Sequence, residues 1–136
     1  MKRNDLSADQ QAELATFVAR LSAAGWEMEA WDALLDAGAD VSPEAAATYS
    51  GPVFDLRLEY HANDRFVRFE TEERDGDLAL VLHMHPALGL AALLERVVAI
   101  QDTLDPGNMG DVVKSFVPLS DPLLIDTDDG LQRVTA

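Results

Sequence analysis

The chain has 136 residues, no cysteine, 48% hydrophobic residues and a formal net charge of −15. The length suits a single domain spanning 1–136, able to bury about two-thirds of its unfolded surface. The missing cysteines exclude disulfides, zinc–thiolate sites and thiol nucleophiles.

The negative charge is spread along the chain, −6 over residues 1–50, −4 over 51–86 and −5 over 87–136, so it belongs to the whole surface and not to a tail. A field of that sign repels phosphate backbones and speeds encounter with a basic protein. Two lysines against sixteen aspartates would equally suit a surface adapted to salt. The start, "MKRNDLSADQQ", has two basic residues with no apolar run behind them, and no stretch approaches the ~20 apolar residues of a membrane span. The expectation is a cytoplasmic protein with neither nucleic acid nor membrane as partner.

In chain order, "SADQ" at 7–10 reads as a capping box, Ser7 capping and Gln10 three residues on. Leu14, Phe17, Val18 and Leu21 continue at helical spacing and Gly25 suits the stop. A second helix is expected from about Glu27 to Ala37, with Trp31, Leu34 and Leu35 on one side and Gly38 after it. "SPEAAATYSG", with Ser42 as cap and Pro43 at the first helical position, predicts a short third helix.

The period then changes from helical to alternating. "PVFDLRLEYH", "RFVRFETEER" and "DLALVLHMH" are separated by "ND" and "DG", dipeptides that two-residue hairpin turns favour. Setting Asn63-Asp64 as the first turn pairs Tyr60 with Val67, Leu58 with Phe69 and Leu56 with Thr71. Setting Asp75-Gly76 as the second pairs Val67 with Met84, Phe69 with Leu82 and Thr71 with Leu80. Both turns, chosen independently, place Phe54, Leu56, Leu58, Tyr60, Val67, Phe69, Leu78, Leu80, Leu82 and Met84 on one face. A slip of one residue in either hairpin destroys that agreement.

From Ala87 to Leu104 the chain is apolar nearly all round, as a helix buried against a sheet is. "DPGN" turns it, "MGDVVKSFV" predicts a short helix, and "PLLIDTDDGLQRVT" a closing hairpin turning at Asp128 to Gly130. The fold class expected is α+β: N-terminal helices, a three-stranded antiparallel meander, a long buried helix and a C-terminal β-hairpin, with the helices packed on one sheet face.

The register sends His83 and His85 of "LVLHMHP" to the outer face, with Asp55, Arg57, Glu59, His61, Phe66, Arg68, Glu70, Glu72 and Val81. Its rows read Glu59, Arg68, His83; His61, Phe66, His85; and Arg57, Glu70, Val81. Opposite charges therefore sit at cross-strand neighbours, each pair contributing roughly 0.2–1 kcal/mol. As metal ligands, His83 and His85 lack a third partner, because Phe66 stands between them and His61 and Arg68 stands between His83 and Glu59. As acid–base groups they lack a cleft unless another segment roofs the face. "DTDDG" at 126–130 places glycine at position 5, not 6, of a calcium loop and has no glutamate at position 12. No G-x-S-x-G and no phosphate-cradling loop occurs.

These readings leave a protein-binding surface as the main expectation, with no catalytic residue, no metal ligand and no cofactor. Its residues are Arg57, Glu59, Phe66, Arg68, Glu70, Val81, His83 and His85, aromatics framed by arginines and carboxylates as at protein interfaces. The partner is a protein, basic in charge, and the module an antitoxin, an immunity protein or a small chaperone; a homodimer through a sheet edge or the helices also fits. The competing class is a small metal-dependent or acid–base enzyme built on His61, His83, His85 and Glu59. In element order the chain resembles type III secretion chaperones, which are small, acidic and α+β; the resemblance implies a protein that holds a secreted protein and rests on no shared motif.

Overall fold

The computed structural model describes residues 7–29, 44–61 and 65–135. Helix α1 (Ala8–Ala23) starts on the expected capping box: Gln10 N–H donates to Ser7 Oγ and Ser7 N–H to Gln10 Oε1. Strands β1 (Glu27–Met28), β2 (Ala45–Ser50), β3 (Asp55–His61), β4 (Phe66–Glu72) and β5 (Leu78–Pro86) follow. Helices α2 (Leu90–Ile100) and α3 (Met109–Ser115), a single 3-10 turn (Val117–Leu119) and strands β6 (Ser120–Thr127) and β7 (Gly130–Arg133) complete the chain. The protein is α+β. Its seven strands form one antiparallel sheet whose spatial order is the chain order, β1 to β7.

The observed pairs in β3–β4–β5 coincide with the register read from the turns, from Tyr60–Val67 and Leu58–Phe69 to Val67–Met84 and Thr71–Leu80. The second turn differs from expectation. Gly76 N–H donates to Glu73 O and Glu73 N–H to Asp77 O, so the loop is Arg74-Asp75-Gly76, three residues long, with Gly76 at φ 97° where a side chain would be strained. The extra residue shifts the register by one, and a bulge pairs Glu72 with Leu78 but Thr71 with Leu80, restoring it. Leu78, expected inside, is 54% exposed as a result.

The short third helix is a second correction. Ala45–Ser50 is strand β2, pairing with β3 from Ala45–Tyr60 to Ser50–Asp55. Alanine suits a helix locally, but pairing along β3 decides the outcome. Of the helix expected over 27–37, Glu27 and Met28 form β1 against Thr48 and Ala47; Trp31, Leu34 and Leu35 lie outside the described residues. The long helix is shorter than the run 87–104, spanning Leu90–Ile100, and α3 lies where "MGDVVKSFV" placed it. The closing hairpin joins the sheet beside β5, Leu82 facing Ile125 and Met84 facing Leu123.

One hydrophobic core joins Phe17 and Leu21 of α1, Leu93, Leu94 and Val97 of α2, and the row Leu56, Leu58, Tyr60, Val67, Phe69, Leu82 and Met84 of the sheet. Each fully buried leucine there contributes roughly 1.5–3 kcal/mol. Gln101, just after α2, fastens the α1–β1 corner: it accepts from the buried Trp26 indole N–H at 2.8 Å and donates to Ala24 O at 2.9 Å. Among the described residues no helix is long and apolar enough to cross a membrane.

Candidate functional site

Alternate residues of β2 to β6 point away from this core and form the outer face. Chain alternation builds it: Arg57, Glu59 and His61 on β3, Phe66, Arg68 and Glu70 on β4, Val81, His83 and His85 on β5. The rows Glu59–Arg68–His83 and Arg57–Glu70–Val81 are those the sequence gives, and His61 lies opposite Phe66. None of the three histidines belongs to the hydrophobic core.

Charges on this face are paired. Arg57 donates to Glu29 through Nε at 2.6 Å and Nη2 at 3.3 Å, and also pairs with Glu59. Arg68 pairs with Glu70 on its own strand and lies 3.9 Å from Glu59. Two arginines thus bind three carboxylates in one chain of contacts across β1, β3 and β4. The side chains of Glu59 and Glu70 are only 13% and 14% exposed, so these pairs are screened less than open surface pairs. Burial and the neighbouring Arg57 lower the Arg68 pKa, with Asp126 opposing them.

Beside the network stands an aromatic stack. The Phe66 ring lies 4.3 Å from His61 at an interplanar angle of 3° and 5.5 Å from His83 at 7°; His85 lies at 5.8 Å, tilted. His61 Nε2 is 2.9 Å from Glu59 Oε1, which ties the stack to the ion-pair chain. Burial first, then the Arg68 charge, lowers the pKa of His83, while Asp126 pulls it upward. The shift favours the uncharged imidazole against Phe66.

The phenyl ring between His61 and His83 keeps these imidazoles from converging on one ion. Among the described residues, the one group of three ligand types close enough to share a metal is Glu73, Asp75 and Asp77 in the exposed β4–β5 loop. A cleft of about 260 Å³ opens at one end of the sheet between α1, β3 and the start of α2, and His85 reaches it. Its polar groups engage one another: Tyr60 O–H donates to Glu13 at 3.0 Å, and Arg65 lies 3.7 Å from Glu13. Burial and then this carboxylate push the Tyr60 pKa far up, so its hydroxyl keeps its proton.

Val81 departs from expectation. It faces outward by register yet is only 7% exposed, on a central strand of the sheet opposite Glu70. It offers a partner almost no surface. His61 is likewise buried, at 8%. Phe66, Arg57, Arg68, His83 and His85 are partly exposed.

Two charged residues of the face were not found by sequence reasoning. Glu29 follows β1, and Asp126 comes from β6, where the register sets it in the row of Val81, one strand further on. The signal for the first was "WEME", where Trp26 and Met28 alternate inward with Glu27 and Glu29; a helical reading of 27–37 hid it. Compared with protein-family models, curated proteins and solved structures, the chain matches none.

Proposed function

We propose that the chain is a non-enzymatic acidic binding module that holds a basic protein partner on its outer sheet face, as a chaperone-like or immunity-like adaptor does. The observation that carries this reading is the paired charge network bordered by a half-buried Phe66–histidine group, on the sheet face turned away from the hydrophobic core. A prepaired network is held in place before a partner arrives, so little side-chain freedom is lost on binding. Phe66, His83 and His85 supply the aromatic contact area that interfaces concentrate. The net charge of −15 supplies the sign of the partner and a fast, salt-sensitive encounter.

The test is affinity capture from native lysate with three immobilised proteins: wild type, the double variant Phe66→Ala/His85→Ala, and Asp111→Asn in α3 as a control away from the face. The reading predicts a basic protein retained by wild type and control, lost by the double variant and released by salt. Equal retention by all three would place binding elsewhere.

The competing reading, a metal-dependent or acid–base enzyme on His61, His83, His85 and Glu59, has the 2.9 Å His61–Glu59 pair in its favour. Melting with and without Zn²⁺ separates the two. A zinc-dependent rise in Tm abolished by His83→Ala supports the enzyme.

A further inference from the structure

Strand β7 ends the sheet, and all four of its residues are exposed. Its backbone orientation follows from one bond. Val134 N–H donates to Leu123 O, and in an antiparallel pair alternate residues turn their N–H and C=O groups to the same side. Gln132 and Gly130 therefore also face β6, while Leu131 and Arg133 present their main-chain groups outward, where no described strand pairs with them. Leu131 is 48% exposed, and an open edge with an exposed leucine is a pairing template.

The edge is also polar in charge along its length. Asp128 and Asp129 form the turn at one end, and Arg133, whose Nη2 donates to Asp121 of its own chain at 3.2 Å, stands at the other. A parallel copy would set like against like. An antiparallel copy with its two-fold axis at Leu131 sets each leucine against itself and each Arg133 opposite Asp129 of the second copy. In this register the edge is complementary to itself, apolar against apolar and base against acid, which favours a second copy of this chain. We infer that the protein self-associates through β7, two copies pairing antiparallel about Leu131 into one continuous sheet. Such an interface is isologous and closes at two. It stands apart from the outer-face binding proposed above and does not depend on it.

Sedimentation equilibrium of the full chain at physiological ionic strength tests this. The wild type should rise with concentration from 14.8 kDa toward twice that mass. Arg133→Asp sets two acids together and Asp129→Arg two bases, so each variant alone should raise the dissociation constant about tenfold. Mixed in equal amounts, the two variants match each other at both contacts and should recover wild-type association, a result that no effect within one chain can produce. Both side chains are exposed, so the variants keep the fold, which circular dichroism checks. A wild type that remains at 14.8 kDa throughout, or a dimer indifferent to both variants and to their mixture, would overturn the assignment.

Discussion

Thr71 is fully buried on the core side of β4, and its hydroxyl has no hydrogen-bond partner among the described residues. A buried unpaired hydroxyl costs roughly 1–3 kcal/mol, and valine keeps its shape without that cost. Thr71→Val should therefore raise stability by about 1 kcal/mol, seen as a higher urea midpoint at unchanged slope. A lower midpoint would mean that the hydroxyl is satisfied.

His83 makes a second prediction at this scale. Its folded pKa lies below the ordinary 6.5, so between those two values the unfolded chain binds more protons than the folded one. The contribution is complete above pH 6.5 and is lost as pH falls through that value toward the folded pKa. Urea denaturation between about pH 7.5 and pH 5.5 should show the wild type losing stability faster than His83→Gln, which does not titrate. Parallel pH profiles would show that His83 is open to water.

At the scale of elements, the α1–β1 corner depends on a side chain seventy-five positions away. Gln101→Leu leaves the buried Trp26 N–H and the Ala24 carbonyl without their partner and should cost about 2–3 kcal/mol in chemical denaturation. A loss below about 0.5 kcal/mol would mean that the corner is held by the Trp26–Tyr49 stacking instead. Gly51 shows the same closeness: an added Cβ would lie 2.9 Å from Phe54 O and 3.0 Å from Gln101 O, both backbone atoms, so alanine there must displace one of them.

The elements also show what could be read from residues alone. The β3–β4–β5 register was legible because two turns and three alternating runs constrain one another, and a one-residue slip would have turned Leu58 and Phe69 outward. Leu78 was not legible, since a three-residue loop and a compensating bulge leave the rest of the register unchanged. Strand β2 was hidden by composition: Ala45, Ala46 and Ala47 are the same residue on both faces, so alternation leaves no mark, and Pro43 reads as a helix start. The site suffered in proportion. The outer-face rows of β3 to β5 pair in the register read from the turns, whereas Glu29 and Asp126 depended on how β1 and β6 join the sheet, which no local pattern specifies.

For the whole molecule, the proposed function gives charge the role of choosing what approaches and the outer face the role of holding it. At −15, association with a basic protein should weaken steeply as salt shortens the screening length from about 10 Å at 0.1 M to about 3 Å at 1 M. Titration calorimetry with the captured partner at low and high salt checks this, and an affinity indifferent to salt would remove the electrostatic component. The most direct measurement is proton NMR during titration with that partner. All three histidines lie outside the core, and the Trp26 indole lies within it. Binding on the outer face predicts that the ring signals of His83 and His85 move with added partner while the Trp26 indole N–H stays in place. Saturation of the partner with both histidine signals unmoved would contradict it.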